Sequence, residues 1–177
     1  MKYAVLFSSH SGNTEQVAAT ICQTLGKEAC IAYGSWQDVV VDADVIFVGS
    51  WINKGNFDTP MLEVLRGLHH KKIALFGTAG FGGSTTYFDT ILQRVKESIP
   101  VDNTILGSFM CQGKMPNSVR TRYEAMLAKQ PQDETITAML ENFEYALAHP
   151  NEQDLHDVKA FAQDVITKLT LASSTTN

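Results

Sequence analysis

The chain is short of cysteine, of positive charge, and of long apolar runs. It has three cysteines, Cys22, Cys30 and Cys111, with no C-x-x-C pair and no histidine at metal-ligand spacing. That pattern writes neither a disulfide framework nor a zinc site, so buried apolar thiols in a reducing compartment are expected. No window approaches the roughly 18 consecutive apolar residues of a membrane helix. The N-terminal stretch "MKYAVLFSSHSG" ends its apolar run too early for a signal peptide. These features lead us to expect a cytoplasmic protein with no membrane partner. A net charge of -5 and a pI near 5.5 leave no basic stripe to neutralise phosphates, which excludes nucleic acid as an expected partner. The 177 residues, 44% of them hydrophobic, suffice for one core. The expected organisation is a single domain over residues 1–170 with a disordered tail at 171–177.

The first loop, within "FSSHSGNTEQV" (7–17), contains no lysine, arginine or cysteine. The P-loop pattern G-x-x-x-x-G-K-[ST] is therefore missing, and with it the lysine that meets a nucleotide's terminal phosphates. A phosphatase of this topology would need a cysteine and an arginine here. A phosphorelay receiver would need acidic residues at this strand end, and residues 7–14 have none. The dinucleotide fingerprint G-x-G-x-x-G is absent too.

What is present is a regular alternation. "YAVLF" (3–7), "ACIAY" (29–33), "VIFVG" (45–49), "KIALFG" (72–77) and "TILGSF" (104–109) read as short buried strands. Between them lie a helix from Asn13 ending at Gly26, a short one near 36–40, one opened by Thr59-Pro60 as cap and first-turn proline, and one carrying Phe88, Ile91, Leu92, Val95 and Ile99. Strands alternating with helices imply right-handed crossovers and a parallel sheet covered on both faces. Residues 116–149 break the pattern with two helix-like stretches, about 119–129 and 133–147. A last helix begins near Asn151, with Leu155, Val158, Phe161, Ala162, Val165 and Leu169 as its apolar face.

A loop running from a buried strand into a helix start points unpaired backbone N–H groups at one spot, where the helix dipole favours an anion. Ser9, Ser11 and Thr14 add hydroxyls, Asn13 an amide, and Gly12 allows close approach. Two readings follow: a phosphate bound without cations, or a plain helix cap by Ser11 or Asn13 worth about 1 kcal/mol.

The pattern S-x-S-G-N-T (9–14) after the first strand, with the strand and helix order above, resembles the phosphate loop of the flavodoxin family, [TS]-x-[TS]-G-x-T. The resemblance covers about residues 1–115 and the final helix. It implies a flavodoxin-like three-layer α/β sandwich, a five-stranded parallel sheet in order 2-1-3-4-5, with 116–149 as a helical insertion after the fifth strand; long-chain members interrupt that strand itself. It also implies FMN at the edge where strands one and three meet. The cofactor contacts would be Ser9, His10, Ser11, Gly12, Asn13 and Thr14 in the first loop. In "SWINKGNFDTP" (50–60) they would be Ser50, Trp51, Ile52, Asn53, Lys54 and Gly55, with Trp51 stacking on the ring or covering its edge. In "GTAGFGGSTTYF" (77–88) they would be Thr78, Ala79, Gly80, Phe81, Gly82 and Gly83, with Phe81 as the outer aromatic. Gly55 would let a peptide turn its carbonyl toward flavin N5 in the semiquinone, with Asn53 as the competing hinge. Tyr87 and Phe88 are assigned to helix and core, Gln112, Gly113 and Lys114 to the site's edge, and His69 and His70 to an exposed turn. His10 is open between pocket and solvent.

The same resemblance implies a redox carrier rather than an enzyme, passing one electron between a reductase donor and an acceptor enzyme through a neutral flavin semiquinone. A phosphate without cations disfavours adding charge to the flavin by about 1.7 kcal/mol per unit charge at about 10 Å and a dielectric of about 20. Lys54 would offset part of this. The alternative is an FMN-dependent oxidoreductase of the quinone or flavin reductase type, with residues 116–149 roofing the flavin. The insertion is also similar to that of flavodoxin-like proteins accompanying bilirubin reductase in anaerobic bacteria, which would make the role electron supply.

Overall fold

Short runs rich in valine, isoleucine and phenylalanine become interior strands when helices cover both sheet faces. The computed structural model describes residues 1–35, 42–82 and 84–174; the short helix expected near 36–40, and Gly83, lie outside them. The strands are β1 (Tyr3–Ser8), β2 (Cys30–Gly34), β3 (Val45–Asn53), β4 (Asn56–Phe57), β5 (Lys72–Ala79) and β6 (Thr104–Gln112). The helices are α1 (Asn13–Leu25), α2 (Thr59–Gly67), α3 (Thr85–Lys96), α4 (Asn117–Lys129), α5 (Glu134–Ala146) and α6 (Glu152–Ser174). Five parallel strands run in the order β2-β1-β3-β5-β6, and β4 pairs antiparallel with the end of β3. Setting the two-residue β4 aside, this is the expected 2-1-3-4-5 order.

The strand period of two divides the core cleanly. Tyr3, Val5, Phe7, Phe47 and Phe76 face α1 and α6, where Val17, Ile21, Val158, Ala162 and Val165 meet them. Ala4, Leu6, Ile46, Val48, Ile73 and Leu75 face the other way onto Met61, Leu65, Ile91 and Val95 of α2 and α3. Each such large side chain contributes about 1.5–3 kcal/mol by leaving water. The apolar face expected for the last helix is the one that packs, with Val158, Ala162, Val165 and Leu169 buried. That helix runs to Ser174, into the stretch expected as a tail, and residues 175–177 lie outside the described part.

Two local starts differ from expectation. Thr59 is not the cap of α2; Asp58 is, its carboxylate accepting from the Met61 N–H at 3.3 Å, with Thr59 and Pro60 already in the helix. A carboxylate reaches a third-residue N–H as a threonine hydroxyl does, and here Asp58 lies one position earlier. Nor does Ser11 or Asn13 cap α1: the N-cap is Gly12, at φ 84.

The insertion is an antiparallel helix pair, α4 and α5. Tyr123, Ile136, Phe143 and Ala146 are its buried residues. Arg120 of α4 ties the pair together, bonding Glu124 at 2.8 Å and Glu144 of α5. The chain leaves and re-enters the domain at one point, where the Lys114 N–H donates to the His149 carbonyl at 2.9 Å.

Candidate functional site

The carboxyl ends of the parallel strands open onto a cavity of about 570 Å³. Three loops and the start of the insertion line it. From the first loop come His10, Ser11 and Asn13; from the second, Trp51 through Gly55; from the third, Thr78 through Phe81. Ser9, Gly12, Thr14, Ser50 and Gly82 are not among the lining residues. Ser9 Oγ accepts from the Glu15 N–H at 3.3 Å and lines a separate cleft. Thr14 Oγ1 lies 2.8 Å from Thr78 Oγ1, fastening the start of α1 to β5.

Because Gly12 brings no side chain to the helix start, the first turn of α1 presents the N–H groups of Asn13 and Thr14 without a side-chain partner, that of Glu15 being taken by Ser9. Asn13 beside it is buried. Its Nδ2 donates to Ser11 Oγ at 2.9 Å and to the Lys114 carbonyl at 2.8 Å, while its Oδ1 has no partner among the described residues. A buried carbonyl oxygen left open costs about 1–3 kcal/mol.

The opposite wall is built by Asp58, which lies buried behind the second loop. Its carboxylate accepts from Ser8 Oγ, from Ser50 Oγ at 3.0 Å and from Trp51 Nε1 at 3.1 Å, besides capping α2. The indole is thereby fixed at the cavity wall. His10, exposed, lies against it with ring centroids 5.1 Å apart and planes tilted 31°. His10 both lines the cavity and stays open to solvent.

Beyond Trp51 the chain turns sharply. Asn53 pairs with Asn56, and Lys54 and Gly55 between them sit at φ 51 and φ 78. Two successive positive φ values are the mark of a type I′ hairpin turn. Asn53 is thus the last residue of β3. The Gly55 carbonyl accepts from Arg94 Nη1 of α3 at 3.3 Å.

In the third loop two of the glycines make room for neighbours from the end of β6 and the segment after it. A Cβ at Gly80 would lie 2.5 Å from the Met115 side chain, and one at Gly82 would lie 2.5 Å from Gln112 Oε1. Their bareness admits the segment after β6. Gln112 Nε2 and Asn142 Nδ2 both donate to the Gly80 carbonyl at 3.0 Å, which joins α5 to this loop. Phe81 lines the cavity and remains 37% exposed.

Several lining residues were not anticipated: Tyr87 of α3, and Met115, Pro116, Val119, Arg122 and Tyr123 from the insertion. Burial pushes the Tyr87 phenol above its usual range, with Arg94 opposing the shift. Gly113 and Lys114, expected at the edge, do line the cavity, and Gln112 is buried behind it. His69 and His70 stand in an exposed turn; His69 Nδ1 lies 2.9 Å from Asp102 Oδ2 and holds that carboxyl below its usual range.

A three-layer parallel α/β domain with its cavity at the carboxyl edge, around the β1–β3 switch in strand order, defines the class of doubly wound nucleotide-site proteins. The flavodoxin domain family matches residues 4–163. The chain belongs to that family of flavin-binding redox proteins. It is 38% identical over 175 residues to the flavodoxin-like domain-containing protein BilS of Clostridioides difficile (strain CD3), covering 97% of this chain and 99% of the relative. To the protein of the same name from Clostridium symbiosum (strain WAL-14163) it is 36% identical over 172 residues, covering 88% and 90%. Its fold is that of the oxidised flavodoxin 2 of Bacillus cereus, at TM-score 0.57 and 15% identity, covering 95% of this chain and 99% of that one.

Proposed function

We propose that the chain binds FMN and works as a one-electron carrier in the cytoplasm, passing electrons from a reductase to an acceptor enzyme and cycling through a neutral flavin semiquinone. The observation that carries this reading is the start of α1: an N-terminus with a glycine cap, whose Asn13 and Thr14 N–H groups have no side-chain partner, opening beside a cavity walled by an anchored indole. The residues present fit the cofactor. Those N–H groups, with the Ser11 hydroxyl, would hold a phosphate dianion by neutral donors. Trp51, kept in place by Asp58, would give the ring a flat apolar partner, and the backbone of Thr78 to Gly80 would meet its edge. When bound, FMN supplies one- and two-electron chemistry; the chain's part is to hold, orient and shield it.

A visible spectrum of the purified protein with added FMN, followed by reductive titration, tests the proposal. Yellow protein that turns blue at half reduction supports the carrier, and protein that stays colourless with excess FMN ends the case. Ser11→Asp places a negative charge at the exposed phosphate end. It is expected to weaken FMN at least tenfold, or roughly 1.4 kcal/mol, while riboflavin loses little. Equal losses would remove the anion site.

A second reading is favoured by one observation: Val119, Arg122 and Tyr123 of α4 wall the cavity, as a substrate roof would. An FMN-dependent oxidoreductase of the quinone or flavin reductase type would bleach without a blue stage and oxidise a nicotinamide unaided.

A further inference from the structure

The mouth of the cavity carries the opposite charge to the chain as a whole. Lys54 of the β3–β4 turn, Lys114 of the segment after β6 and Arg122 of α4 line it, and no aspartate or glutamate does. Arg94 adds a fourth cation through its bond to the Gly55 carbonyl, itself a lining group. The whole chain, by contrast, has a net charge of -5.

Among the described residues none of these four cations is ion-paired. The contrast within α4 is direct. Arg120 is neutralised by Glu124 and Glu144 and serves the helix pair, whereas Arg122, two residues on, turns to the cavity unpaired.

All four are exposed, and they come from four separate elements. They ring an opening and do not converge on one buried point. A small anion at any one of them would stay in water, where a charge contact is worth about 0–1 kcal/mol. A broad surface bearing several carboxylates would meet all four together, and half-exposed Phe81 adds apolar area to the same opening. We propose that this mouth is the docking surface for a redox partner protein with an acidic face. The inference rests on the FMN reading, since it supposes that electrons leave or enter here.

Such a ring steers an acidic partner even though the net charge repels it, because screening over about 8–10 Å leaves the nearest charges in control. The sign of the salt dependence therefore separates local from overall charge. In the test, FMN-loaded protein is mixed rapidly with a reduced acidic [2Fe–2S] ferredoxin as probe. One electron passes from the cluster to the oxidised flavin, and the cluster returns to its diferric state. The rate is expected to fall about tenfold or more from low to high salt. Arg122→Glu with Lys114→Glu is expected to lower the low-salt rate about tenfold, and the milder Arg122→Gln about threefold. Lys72→Glu makes a charge change of the same sign and half the size of the double variant's at the far end of the sheet, where β5 begins, and is expected to change the rate less than twofold.

A rate that rises with salt, or that responds equally to Lys72→Glu, overturns the proposal. Ferricyanide oxidation of the reduced protein supplies the small-anion arm, one electron moving to each ferric centre. If ferricyanide shows the salt and variant response and the ferredoxin does not, the mouth serves small anions only and protein docking is refuted. Failure of the FMN reading shows earlier and separately, as protein without flavin absorbance. Calorimetric titration of that protein with the ferredoxin and the same variants then decides the docking surface by itself.

Discussion

A single buried carboxylate organises the second wall of the site. Asp58 receives a serine from β1, a serine and an indole from β3, and an N–H of α2. Removing it strands several donors in a place water does not reach and uncaps a helix. Asp58→Ala is expected to cost about 2–4 kcal/mol, from a lost cap of about 1 and unsatisfied donors of about 1–3. Urea unfolding measures that loss. The emission of Trp51, freed from its partner, should shift to the red in the folded protein at the same time. Nothing in the string "NFDTP" distinguishes Asp58 from an ordinary surface aspartate, since the residues that surround it lie on β1 and β3. The opposite held for the first loop, where the motif, its place after an apolar run and the helix pattern that follows all lie within about a dozen residues.

At the scale of elements, the strands and main helices were legible because each is short, apolar and bounded by glycine or polar residues. β4 was not, being two residues long, which leaves no period to see. The insertion was visible as helices, and as a wall of the cavity only under the alternative in which residues 116–149 roof the flavin. Of α4's residues only Tyr123 is buried, so the sequence shows no apolar face pointing anywhere. The third-loop glycines were read as space for a ligand's edge, and two of them are space for Met115 and Gln112. A sequence shows that a side chain is missing, not what fills the gap. The pair α4–α5 should owe its stability to packing more than to charge. Phe143→Ala, at a fully buried position, is expected to cost about 3–5 kcal/mol. Arg120→Ala, which breaks two exposed ion pairs, should cost under about 1 kcal/mol. Hydrogen exchange of α5 amides orders the two variants, and the reverse order would refute the packing account.

For the molecule as a whole, Cys111 is the buried apolar thiol expected, while Cys22 and Cys30 are half-buried. Burial, and then the nearby Asp154 and Asp157, push the Cys111 thiol well above its usual range; burial and the neighbouring Cys22 push Cys30 up to about 12. The folded state keeps these protons while the unfolded chain releases them above about pH 8.5. Unfolded protein then binds fewer protons, so stability is complete below that pH and falls as pH rises toward 12. For Cys111 the slope is about 1.4 kcal/mol per pH unit at most. Urea midpoints at pH 8 and pH 10 should therefore separate, and Cys111→Ala should narrow the gap. Equal separation in the variant would assign the alkaline loss to other groups.

The hydrogen bond from Lys114 to His149 gives the insertion a closed neck. Beyond that neck the insertion is held to the rest of the domain by Asn142, which bonds Gly80 and Gln112. Exchanging the helix pair for a short connector would therefore take away one wall of the cavity while the five parallel strands kept their partners.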